Sequence, residues 1–94
     1  RSMKIHYGDN IQYLRERLHS TLNKVRQGRN PDDVTAEFYI AIGMIGAACT
    51  LGAITLEASS NLHDLALNAS EQRSAELSAI AAAARLKARQ EAAA

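Results

Sequence analysis

Residues 38–56 read FYIAIGMIGAACTLGAITL, 19 positions without a charge. Such a run must leave water, and a chain of 94 residues has little other protein with which to cover it. Val34, Phe38, Ile42, Ile45 and Leu51 fall on several sides of a helix, as do Tyr39, Ile40, Met44 and Ile54. A helix apolar all round is either buried in protein or spans a bilayer. About 20 apolar residues suffice for a span, so length alone does not decide. Composition favours burial. Three glycines, Thr50, Thr55 and the alanines at 41, 47, 48 and 53 dilute the run, and Glu37 and Glu57 bound it. No Lys or Arg lies between Pro31 and Gln72, and Tyr39 is the one residue of the interfacial-anchor type. The expectation is a buried helix of a soluble protein, with a single-span membrane protein as the alternative. Gly43 and Ala47 are four apart, as are Ala48 and Gly52. Small pairs at that spacing let a second helix approach closely, which offsets the ~1 kcal/mol that each helical glycine costs against Ala.

Asn30 can cap a helix, Pro31 suits its first position, and Asp32 and Asp33 sit where the helix dipole favours anions. Leu51, Ile54, Ala58, Leu62 and Leu65 keep the three-and-four spacing going. The pattern predicts one helix over 31–67, about 55 Å long, with Ser59-Ser60-Asn61 as a place to kink. Upstream, Met3 to Tyr7 alternates apolar and polar and Gly8 breaks the pattern, so residues 3–8 read as an extended arm. Asp9 or Asn10 can cap a helix over 10–27, whose stripe is Ile11, Leu14, Leu18, Leu22 and Val25. Gly28 stands where a helix-ending glycine belongs, and the short link that follows makes the two helices antiparallel neighbours. Asn68-Ala69-Ser70 reads as a second turn, leading to a helix over 71–90 with Leu77, Ile80, Ala81, Ala84 and Ala88 on one face.

The expected fold is therefore all-α. It is a three-helix hairpin or bundle in one domain over 1–94, with a long central apolar helix and a short N-terminal arm, assembled as a homo-oligomer. Arg1-Ser2 reads as a vector remnant ahead of Met3. Two flanking helices can cover only two sides of the central one. A patch of large apolar residues left in water marks an interface, and the simplest cover is a second copy about a twofold axis. The residues assigned to that interface are Tyr39, Ile40, Gly43, Met44, Ala47, Leu51 and Ile54.

Net charge is only +1, but it is segregated. Residues 1–31 carry +5, residues 32–72 carry −6 and residues 73–94 carry +2. A chain arranged basic–acidic–basic can neutralise itself by folding or by pairing with a copy. The lone Cys49 excludes an intrachain disulfide and reads as a small buried hydrophobe.

Chemistry has few footholds. Ser59, Ser60, His63 and Asp64 include hydrolytic residue types, but neighbours on a helix point about 100° apart, so Asp64 cannot orient His63. His6, His19 and His63 lie on separate elements without a paired metal-ligand spacing. No phosphate-cradling glycine loop occurs. No catalytic residue, metal site or cofactor is assigned. The remaining candidate is the basic surface of the first helix. Arg15, His19 and Arg26 border one side of its apolar stripe, and Tyr13, Arg17 and Lys24 border the other. Cations beside Tyr can hold a phosphate and stack a base, so Tyr13, Arg17, Lys24, Arg15 and Arg26 form a candidate anion site.

These features predict a cytoplasmic, non-enzymatic interaction protein. Its partners would be itself, most simply as a dimer, and another protein, in the manner of an inhibitor or accessory factor of a mobile element. The alternatives are an oligomer that binds a small phosphorylated ligand such as a nucleotide, the membrane protein above, and a nucleic-acid-binding regulator. Nucleic acid is disfavoured by the near-neutral charge and the acidic middle.

Overall fold

The computed structural model describes the backbone of residues 7–94 and the side chains from residue 11 onward. It contains three α-helices, α1 Tyr7–Arg26, α2 Pro31–Thr50 and α3 Leu56–Ala93. No strand occurs among the described residues. The protein is all-α, and each helix packs on the other two.

On α1, Leu18, Thr21 and Val25 are buried, and Ile11, Leu14 and Leu22 pack partly buried beside them. That is the expected stripe. The start differs from expectation. The backbone is already helical at Tyr7 and Gly8, so neither Asp9 nor Asn10 is an N-cap. Of the expected arm over 3–8, residues 3–6 lie outside the described residues and the last two belong to the helix. A helical glycine costs only ~1 kcal/mol, and Asp9 in the first turn favours the helix dipole. Gly8 is thus too weak a breaker.

The turn into α2 is built as the sequence implies. Asn30 adopts extended backbone and its Oδ1 accepts the Asp33 N–H at 2.9 Å, with Pro31 opening the helix. Gly28 has a different role from the one expected. Its φ is not positive, so it is not a left-handed cap. It is buried, and a Cβ there would lie 2.5 Å from Val34 Cγ2 and within 3.2 Å of the Val34 backbone. Glycine is required because α2 packs directly on the turn.

The largest departure is that no helix spans 31–67. α2 stops at Thr50 and the chain reverses at residues 51–55. Gly52 takes the left-handed conformation (φ +75°). The Ala53 N–H donates to the Ala48 carbonyl at 2.9 Å and the Gly52 N–H donates to the Cys49 carbonyl at 3.0 Å. This is the paired helix-ending motif that follows a C-terminal glycine, with its apolar contact made by buried Ala48 and Ala53. Thr55 then caps α3, its hydroxyl accepting the Ala58 N–H at 3.0 Å.

The second turn expected at 68–70 does not form, and the helix expected over 71–90 is the later part of α3. Asn68 is exposed, the Ser70 hydroxyl donates to the Leu67 carbonyl at 2.9 Å, and the backbone stays helical. The reason is tertiary. Leu62, buried Ala66, Ala69 and Leu77 keep an unbroken stripe against α1 and α2, and that packing outweighs the local turn preference of Asn and Ser.

The core is thin. Its buried apolar residues are Leu18, Val25, Val34, Ala41, Ile45, Ala48, Ala53 and Ala66, half of them alanine. Beyond Leu77 every residue of α3 is exposed, but Ile80, Ala81 and Ala84 still flank Arg29, Asn30 and Pro31 across a depression, so only residues 85–93, about 14 Å of helix, run on past that turn. The radius of gyration is 18.7 Å, against about 12 Å for a compact chain of this length.

Both structural glycines give stability tests in urea denaturation. Gly28→Ala forces a methyl against buried Val34 and should cost about 1–3 kcal/mol. Gly52→Ala places a Cβ in left-handed backbone and should cost about 1–2 kcal/mol.

Candidate functional site

The α1–α2–α3 packing uses one side of α2. Val34, Ala41, Ile45 and Ala48 are buried, with Phe38, Ile42 and Met44 partly buried beside them. The opposite side carries Ala36, Tyr39, Ile40, Gly43, Gly46, Ala47 and Thr50, all exposed. Tyr39 is 68% exposed, Ile40 51%, and Leu51, which ends the helix, 77%. No charged residue occurs between Glu37 and Glu57, so this face is apolar or neutral along most of its length. A Cβ built on Gly43 or Gly46 meets nothing within 4 Å. The close approach for which small residues are suited is not made inside the chain. The Phe38 and Tyr39 rings meet edge to face, 5.6 Å between centroids at 65°. This contact links the outer tyrosine to the core-packed phenylalanine.

Five of the seven residues assigned to an interface lie together here: Tyr39, Ile40, Gly43, Ala47 and Leu51. The other two, Met44 and Ile54, turn toward their own chain. Met44 Sδ lies 3.2 Å from the buried Thr21 hydroxyl, whose proton goes to the Arg17 carbonyl at 2.7 Å. Ile54, within the α2–α3 turn, packs partly buried against the core. Gly46 and Thr50 belong to the face and were not assigned to it. The spacing of Gly46 from Gly43 and of Thr50 from Gly46 carried that information.

The structure does not gather the candidate anion site into one pocket. Tyr13 is 64% exposed at one flank of α1. Arg15 borders a shallow depression with Gly52, Ala53, Ile54, Thr55 and Ala58, at the α2–α3 turn. Arg17 is exposed. Lys24 lies at the other end of α1, in a depression that also holds Arg29, Asp33 and Glu37, where carboxylates balance the cations. Arg26 is ion-paired with Glu76 on α3.

That end of the molecule is held by several polar contacts. Arg73 Nε donates to the Gly28 carbonyl at 2.7 Å, and its Nη1 is 3.9 Å from Glu76. Arg29 is 3.9 Å from Asp33. Arg73 thus fastens α3 to the α1–α2 turn, an anchor that helical spacing alone did not reveal.

Ser60, His63 and Asp64 are exposed along α3, and Cys49, expected to be buried, is half-buried. Among the described residues no group of three or more His, Cys, Asp and Glu side chains is placed to hold a metal ion. Among the same residues, α2 is the one helix long and apolar enough to cross a membrane, and 22% of its most apolar 18-residue stretch is buried. No protein-family model, curated protein or solved structure matches this chain.

The anchoring contacts can be ranked. Arg73→Met removes a charge-assisted hydrogen bond from a half-buried site and should cost about 1.5–3 kcal/mol. Arg26→Met removes an exposed pair and should cost less than about 1 kcal/mol. Equal losses in chemical denaturation would contradict the assignment of Arg73 as the anchor.

Proposed function

We propose that this protein is a small non-enzymatic helical interaction module that self-associates through the outer face of α2 and acts by binding another protein. One observation carries the reading. Tyr39, Ile40 and Leu51 stand in water around two glycines that touch nothing, on a helix whose inner side already holds the core. An exposed apolar patch with backbone this accessible is what a partner helix needs. Association would also draw on the charge segregation along the chain. A role as inhibitor or accessory factor of a mobile element fits a protein of this size and composition and belongs to the same proposal.

A second reading has an observation of its own. The outer face of α2 could meet lipid, because the helix is long and apolar enough to cross a bilayer. The absence of Lys and Arg from residues 32–72 weighs against it. An anion-binding role has less support, because Arg15, Arg17, Lys24 and Arg26 diverge, and Arg26 and Lys24 have carboxylate neighbours.

Light scattering coupled to size-exclusion chromatography, in detergent-free buffer, tests the reading. The expected mass is at least twice 10.2 kDa, with the protein in the supernatant after ultracentrifugation. Monomeric behaviour at high micromolar concentration would remove the proposal. Pelleting that detergent reverses would replace it with the membrane reading.

A further inference from the structure

We infer that two copies pair antiparallel along the outer face of α3, about a twofold axis at Ala75. This contact uses a different face from the self-association proposed above and goes beyond it. The inference starts from the order of charge along one side of α3. Glu57, Asp64, Glu71, Ser78 and Arg85 recur every seven residues, and Arg89 follows Arg85 by one turn. A seven-residue step drifts only about 20° on a straight helix, so these positions share one side. All six are exposed, while Leu62, Ala66, Ala69 and Leu77 hold the opposite side against the core. The outer side therefore reads acidic from Glu57 to Glu71, neutral from Ala75 to Ala82 and basic from Arg85 to Arg89. Among the described residues its five charged groups take part in no ion pair, whereas Arg73 and Glu76 are engaged with α1 and the turn that follows it.

Such an order is its own complement. Antiparallel pairing sets the acidic part of each copy beside the basic part of the other, with opposite ends of the helix dipoles together. Parallel pairing sets like charge on like along the contact. Charge also fixes the register. Ala75 stands midway between the two charged groups. An axis there brings Asp64 to within about 1.5 Å, along the helix, of the level of the partner subunit's Arg85. Glu57 then lies about one turn from the level of the partner subunit's Arg89, within reach of that side chain. Exposed ion pairs are individually weak, so close approach has to add to them. The neutral middle permits it, since Ala75 meets Ala75 of the partner subunit and Asn68 lies over the partner subunit's Ala82. Leu67, 45% exposed at the edge of this face, reaches the same alanine. The pairing also gives residues 85–93, which run on past their own α1–α2 turn, a surface to lie against at the start of the second copy's α3.

Cysteine cross-linking in a Cys49→Ser background tests the contact. Ala75→Cys, on the axis, is expected to form a disulfide-linked dimer on oxidation. Ala82→Cys, on the same face, is expected to form none, because its two copies lie about 21 Å apart along the helix, too far for a disulfide. Charge reversal tests the cause. Glu57→Lys with Asp64→Lys, and Arg85→Glu with Arg89→Glu, are placed separately in the Ala75→Cys protein. Each pair alone should lower cross-linking at least about tenfold, keep the helical circular-dichroism signal, and recover cross-linking when the two proteins are mixed, because the mixed dimer is complementary at both ends. Cross-linking at Ala82→Cys but not at Ala75→Cys overturns the register. Cross-linking that ignores charge reversal, or that mixing two helical variants does not restore, overturns the inference. A parent that is dimeric in light scattering but never cross-links at Ala75→Cys overturns it too, and leaves the α2 reading standing. Charge variants that fall to monomer mass and form a dimer on mixing support the α3 contact and overturn the α2 reading. A monomeric parent overturns both.

Discussion

Every face of α2 carries apolar residues, yet the chain can cover only one. α1 and α3 both settle against Val34, Ala41, Ile45 and Ala48, because those positions share an azimuth and offer a continuous groove between them. Covering the far side would take a fourth element of comparable length. The later part of α3 that could have supplied it continues as an exposed helix beside the α1–α2 turn. Much of the core is alanine, so the hydrophobic stabilisation per residue is small. The fold therefore leans on geometry that brings backbones close. Gly28 lets α2 sit directly on the α1–α2 turn, and Ala48 and Ala53 seal the α2–α3 reversal.

The polar contacts divide along the same lines. They concentrate at the end of the bundle where α1 hands over to α2, with Arg26, Arg73 and Glu76 tying α3 to that corner and Arg29 beside Asp33. At the opposite end the described contacts are backbone hydrogen bonds, the Thr50 hydroxyl on the Gly46 carbonyl and the Thr55 cap. Arg15 sits at that end among apolar and neutral neighbours. Electrostatics thus stabilise one corner internally and leave the other corner with an outward-facing cation.

Helical content, the stripe on α1 and the Asn30-Pro31 start of α2 were legible because each is a local pattern with a single physical meaning. The boundary between α2 and α3 was not. Leu51, Ile54, Ala58 and Leu62 keep helical spacing straight through a break, so periodicity masked the two residues that make it. Gly52 reads equally as a small helix-contact residue and as a left-handed terminator, and Thr55 is an ordinary residue until Gly52 has stopped the helix before it. The reverse holds at Asn68 and Ser70, where turn-forming side chains occupy a helix that Ala66, Ala69 and Leu77 hold in place. For the candidate site, the apolar excess on α2 was readable as an excess, and five of its seven assigned residues share the open face. That Met44 and Ile54 turn inward depends on where α1 and the α2–α3 turn lie, which no single-helix pattern contains. The basic residues of α1 were grouped by proximity along the chain, and their dispersal follows from the opposite ends they occupy.

The uninterrupted run of α3 from the Arg73 anchor to Ala93 has a mechanical consequence. A helix is stiff over a few turns, so the last stretch behaves as a short lever that starts where Ala84 leaves the depression shared with Arg29, Asn30 and Pro31. Tilting it by 10° would sweep its free end through roughly 2 Å. Whatever engages the tip could thereby be felt at the corner where α1 and α2 meet, and a small repacking of that corner would be amplified at the tip.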